Sequence, residues 1–186
     1  ALLILLMIAI PSSAAAQDGT EASSDLSALE LTRTVAASAD PAAAYQALSP
    51  AEQRAVDSIL GGAGEVTTTS DVVEISPLAS GCWQRVNTKE AYTLGVFQWR
   101  VSQTLSWGGN GASITSYSSW FTVATGALWQ YSGLVSEGTT GGVGWTAVRV
   151  DRQVHFQYCP PGVGCFQNAY PIVSQQGSMD GSYWAN

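Results

Sequence analysis

From Phe97 to Trp107 the chain alternates between two kinds of side chain. Phe97, Trp99, Val101, Leu105 and Trp107 are apolar, and Gln98, Arg100, Ser102, Thr104 and Ser106 between them are polar. Gln103 alone breaks the pattern. A period of two is that of a strand with one face covered and the other in water. Val148 to Tyr158 repeats it in the opposite parity. Val148, Val150, Val154, Phe156 and Tyr158 face one way, while Arg149, Asp151, Gln153, His155 and Gln157 face the other, and Arg152 lies on the wrong side. Between these segments, Gly108-Gly109-Asn110-Gly111 supplies turn residues of positive φ. A Ser/Thr-rich strand with Ile114, Tyr117, Trp120 and Val123 follows it. Another strand runs through Leu128-Trp129-Gln130-Tyr131, with a bulge expected near Gly133. Ile172, Val173 and Met179 mark a strand ahead of Asp180-Gly181, a pair suited to a type I′ hairpin turn that returns through Ser182-Tyr183-Trp184. One polar face per strand predicts antiparallel sheets. Six to eight strands in about 105 residues predict a mainly β fold, an antiparallel β-sandwich or a small barrel, which periodicity does not separate.

Before residue 81 the pattern is helical. Asp40-Pro41 pairs an N-cap residue with proline at the first helical position. Ser49-Pro50-Ala51-Glu52 carries a full capping box, and Val56, Ile59 and Leu60 form one apolar stripe that Gly61-Gly62 ends. Helices are predicted near 26–37, 41–48 and 50–60, with apolar faces too thin to fold alone. They form either a solvated spacer or cap on the sandwich, or a propeptide or partner-docking segment. Leu2 to Ile10 is an unbroken apolar run followed by Pro11 and Ala14-Ala15-Ala16, the h-region and small-residue cleavage site of a signal peptide. With no initiator methionine or basic n-region, the sequence is expected to begin inside that signal. The run is half the length needed to span a bilayer. The division is therefore a truncated signal peptide at 1–16, an acidic Ala-rich helical leader at 17–60, a linker at 61–80, and an aromatic-rich β-domain at 81–186. The mature chain is expected to be secreted, with no membrane span.

Composition sharpens the contrast. Of eighteen aromatic residues only Tyr45 precedes Trp83, so the packed core is expected in the second part. Residues 17–80 hold ten acidic and two basic side chains, whereas 82–186 hold four acids and five bases. The acidity belongs to the leader, and no Lys/Arg stripe exists to neutralise the phosphates of nucleic acid. Three cysteines occur. Pro161-Gly162 suits a type II turn that brings Cys159 and Cys165 together. On loop entropy that disulfide would stabilise by roughly 2.4 kcal/mol and a Cys82–Cys159 link by about 4.5, so the distant link is the more stabilising and the local pair the easier to form. The local disulfide is expected, leaving Cys82 free or bonded to another chain. One histidine and these spacings argue against zinc.

Trp129-Gln-Tyr131-Ser-Gly133, Gly141-Gly142-Val-Gly144 and Val163-Gly164-Cys165-Phe-Gln167-Asn-Ala-Tyr170-Pro171 resemble a group of small exported proteins of actinobacterial type. Trp107 to Ser116 is similar to their Trp-Cys-x-x-Gly-x-x-Ile-Thr-Ser segment. The resemblance covers about residues 82–186 and implies secretion and a β fold without an activity. This chain has Gly108 where such proteins tend to carry cysteine, which leaves Cys82 without its counterpart.

Catalytic constellations are sparse. His155 and Asp151 share a strand face, but four residues of strand separate them by about 13 Å, too far for a triad. Glu90 with Asp151 is the one conceivable carboxyl pair for glycoside hydrolysis. Gly138 to Gly144 lacks the P-loop lysine and reads as a hairpin loop. The expectation is a non-catalytic protein with no cofactor or metal. Trp99, Trp107, Phe156 and Tyr158 follow the inward parity. Tyr117, Trp120, Trp129 and Trp145, near strand ends and glycine turns, are the candidates for an exposed shelf that stacks on cell-wall or environmental glycan. The competing reading is a bacteriocin-like, membrane-active antagonism protein restrained by an acidic pro-segment.

Overall fold

Both alternating segments become central strands of facing sheets. The computed structural model describes residues 18–73 and 80–186; the signal peptide reading at 1–16 and positions 74–79 of the expected linker lie outside them. Three helices come first, α1 (Asp18–Ala37), α2 (Pro41–Gln46) and α3 (Pro50–Leu60). Four strands form one antiparallel sheet in the order β1 (Glu65–Val73), β2 (Gly81–Thr93), β3 (Val96–Gly109), β4 (Ile114–Thr125). The second sheet runs β5 (Trp129–Gly141), β6 (Ala147–Tyr158), β8 (Ile172–Ser178), β9 (Tyr183–Ala185), with β7 (Gln167–Ala169) also on β6. The sheets do not close into a barrel. The fold is a β-sandwich with a helical cap.

Parity decides what each sheet encloses. From β3, Trp99, Val101, Leu105 and Trp107 are buried, and from β6, Val148, Val150, Val154, Phe156 and Tyr158. Both exceptions to the alternation, Gln103 and Arg152, are buried with them. They separate two apolar clusters, one around Trp99, Trp129, Phe156 and Tyr158, the other around Trp83, Leu105, Trp107 and Val148. Contacts between the sheets in this middle layer are polar. Gln103 donates to the Val150 carbonyl (3.1 Å), Asn87 to that of Ser174 (3.2 Å), and Gln175 to that of Arg85 (3.3 Å). Arg152 donates to Ser119 Oγ (2.7 Å) and pairs with Glu137. Burying such groups unpaired costs several kcal/mol each, and the pairing here is incomplete: Gln103 Oε1, Gln175 Oε1 and Arg152 Nε are buried without a partner.

The leader is part of this core. Tyr45, its sole aromatic, is fully buried beside Val35, Val56 and Leu60 in the cluster that holds Trp99 and Tyr158. The capping box at Ser49 and Glu52 forms, and the Asp40 side chain caps α2 through the Ala43 amide (2.9 Å). Tyr45 and Tyr158 both donate to the Asp57 carboxylate, at 2.9 Å each. Gln98, on the face expected to be solvated, is 1% exposed because the end of α3 covers it, and its amide donates to the Leu60 and Gly62 carbonyls.

Three further local expectations are corrected. The stretch read as a linker contains β1, paired along its whole length with β2. Gly108 and Gly109 extend β3 instead of turning; a Cβ on Gly109 would lie 2.2 Å from the Met179 carbonyl oxygen, so close approach is their use, and Gly111 alone carries the positive φ. At Asp180-Gly181 only Gly181 has positive φ, and the Gly181 amide bonds the Ser178 carbonyl, a type I turn followed by a left-handed residue instead of type I′. The bulge at Gly133 is present, as a register shift between Tyr131 and Gly133. The Cys159–Cys165 disulfide is formed, and Cys82 is a free, exposed thiol facing Gly108 across β2 and β3.

Candidate functional site: the outer face of the second sheet

The four aromatics singled out from sequence do not assemble. Trp129 is 4% exposed, and its indole N–H donates to the Leu60 carbonyl (3.0 Å), so it anchors the helical cap and presents nothing to a ligand. Its place beside the Leu128 turn resembled a strand end, but the helices cover that end. Tyr117, Trp120 and Trp145 are exposed. Trp120 lies opposite Thr104 on the outer face of the first sheet, while Tyr117 lies opposite Trp107 on the inner-facing side. Trp145 sits in the turn between β5 and β6. Among the described residues no ring contact joins these three.

The polar parity of β6 builds a different surface. Arg149, Asp151, Gln153, His155 and Gln157 form a row down the outer face of the second sheet. Two exposed aromatics flank it. Trp184 of β9 takes the Arg149 guanidinium over its ring, 5.1 Å from the centroid. Tyr170, just after β7, stacks on the His155 imidazole with centroids 4.4 Å apart and planes 10° from parallel. Six residues of strand place these aromatics about 20 Å apart. A groove of about 770 Å³ covers the Arg149–Gln153 part of this row and reaches Tyr170, but is not lined by His155, Gln157 or Trp184. It runs from Ser136 and Gly138 of β5 across Asp151 and Gln153 to Ile172 and Ser174 of β8, and on to Lys89.

Fixed contacts hold the groove's polar groups. Arg149 forms a bidentate pair with Asp151, Nε at 3.0 Å and Nη2 at 2.9 Å. Partial loss of water alone would raise the Asp151 carboxyl, but hydrogen bonds from Arg149 and Ser174 and the Arg149 charge outweigh it and hold it below the usual carboxylate range. Its proton affinity is thus opposite to that of a general acid. His155 is 2.8 Å from Asn168 Oδ1, and Gln157 donates to the same oxygen at 3.1 Å. Glu90, the other acid considered for hydrolysis, belongs to the other sheet, where it pairs with Arg100 and accepts from Tyr92. The structure does not bring the two acids together. No cluster able to hold a metal occurs among the described residues.

Sequence reasoning placed His155 correctly as a residue on a polar sheet face and missed Trp184 and Tyr170. The signal for Trp184 was its neighbour: Tyr183 pairs opposite the buried Gly177, and alternation then turns Trp184 outward.

Fold and groove together define a class: a helix-capped, two-sheet antiparallel β-sandwich with an open, polar, aromatic-flanked face. Comparison with protein-family models, with curated proteins and with solved structures finds no match to this chain. Among the described residues no helix is long and apolar enough to cross a membrane.

Proposed function

We propose that this is an exported, non-catalytic glycan-binding protein whose ligand lies along the outer face of the second sheet. The observation that carries the reading is the pair Trp184 and Tyr170, both exposed on one face at opposite ends of a row of amide, imidazole and ion-paired side chains. A glycan chain offers apolar ring faces to aromatics and hydroxyls to such side chains, which a flat open groove receives without enclosing. Protein side chains already held by fixed partners lose little further entropy when a ligand binds. The signal-like N-terminal pattern and the Cys159–Cys165 disulfide support export.

Binding to a broad glycan array and to insoluble polysaccharides, followed by titration of the best ligand, tests this. Trp184→Ala or Tyr170→Ala is expected to weaken binding by roughly tenfold, the loss of one aromatic contact of about 1.4 kcal/mol. Trp120→Ala, on the other sheet, should leave it unchanged. No binding across the array, or binding indifferent to both the Trp184 and the Tyr170 substitution, would overturn the reading.

A further inference from the structure

Every charged side chain lining the groove has an opposite partner except Lys89. Arg149 is bound to Asp151 and Arg152 to Glu137. Lys89 makes no hydrogen bond or ion pair among the described residues, although it is only partly exposed. Burial lowers its ammonium from the usual lysine value, and no carboxylate offsets that loss of water. Lys89 comes from β2, on the sheet opposite the groove floor. It reaches the groove because β8 passes beneath β2, where Asn87 ties the carbonyls of Ser174 and Asn186 to the first sheet (3.2 and 3.1 Å). The result is one uncompensated cation at the end of a polar trough, in a chain whose net charge is −7. Acidic polymers therefore meet net repulsion at long range, and an anion would be recognised only at that point.

We propose that the glycan taken by this groove is anionic, carrying a carboxylate or phosphodiester group that pairs with the Lys89 ammonium; this rests on the glycan-binding reading above. A bound anion would restore to the ammonium the partner that burial has removed. A compact ammonium pairs with either anion as a point charge, whereas the forked arginines of the groove are already committed to carboxylates.

The test compares the full chain on matched probes: hexuronate oligomers against their carboxyl-reduced counterparts, and poly(glycerol phosphate) against neutral oligosaccharides. The expected result is at least about tenfold tighter binding of an acidic probe than of its neutral partner, on the scale of one charge-assisted hydrogen bond. That preference should fall in about 1 M salt, where screening acts within about 3 Å. Preference for the uronate pair identifies a carboxylate, and preference for the phosphate polymer a phosphodiester. Lys89→Met should abolish the preference while neutral-probe binding persists, and Lys89→Arg should retain it, which separates loss of charge from loss of fold. Equal affinity for acidic and neutral probes, or a preference that survives Lys89→Met, sinks the anionic-ligand inference and leaves glycan binding standing. Absence of binding to any probe or arrayed glycan removes the parent reading as well.

Discussion

Asp57 accepts hydrogen bonds from the hydroxyls of Tyr45 in the leader and Tyr158 of β6, so one carboxylate joins the two unlike parts of the chain. Burial first, then the hydrogen bond to Asp57 and its charge, push the Tyr45 phenol up to about 12; the same causes, with Tyr45 itself, raise that of Tyr158 further. Both exceed the ordinary value of 10.0, so above that pH the unfolded chain releases protons that the native state keeps. The stabilisation is complete below about pH 10 and drains away as pH rises through the folded-state values. Denaturant midpoints measured at intervals between about pH 8 and pH 11 should fall steeply above about pH 10. Tyr158→Phe should flatten that fall and cost about 2 kcal/mol at neutral pH, one bond to a charged group. A midpoint insensitive to the substitution would contradict this account. At this scale much was legible: parity alone assigned Trp99, Trp107, Phe156 and Tyr158 to the interior. Trp129 and Gln98 were not legible, because what buries them is the end of α3, more than thirty positions away in sequence.

The helices were readable as helices, since Ser49, Pro50 and Glu52 specify a start through local bonds alone. Their destination was not, because a thin apolar stripe does not say which surface covers it. Val56 and Leu60 are wholly enclosed, each contributing about 1.5–3 kcal/mol. Strand β1 left no trace in the alternation for a related reason. Its side chains from Glu65 to Asp71 are exposed whichever way they point, so an edge strand held by backbone pairing carries no period-two signal. Removing residues 18–62 should therefore yield a chain without cooperative unfolding that binds a hydrophobic dye, since Trp129 and Tyr158 lose their cover. A soluble truncated domain with a sharp melting transition would show instead that the helices are dispensable, as a removable pro-segment requires.

For the molecule as a whole, the fold class was visible from sequence and the proposed binding face was not. Alternation divides each strand into two faces, but only the stacking of the sheets determines which outward face collects aromatics from β9 and the segment after β7. The two breaks in the pattern, Gln103 and Arg152, looked like noise, yet both reach the opposite sheet. A pair of greasy surfaces can slip past each other at small cost, whereas an amide aimed at one carbonyl tolerates a single alignment. Gln103→Leu, similar in volume, is accordingly expected to leave the melting temperature unchanged or raise it, while amide resonances around Val150 broaden; sharp, undisplaced resonances would count against the idea. Broadened resonances would mean that the interior trades strength for alignment, its weakest-looking layer being the vernier that sets how the two halves are clocked, and with it the position of Lys89 at the end of the trough.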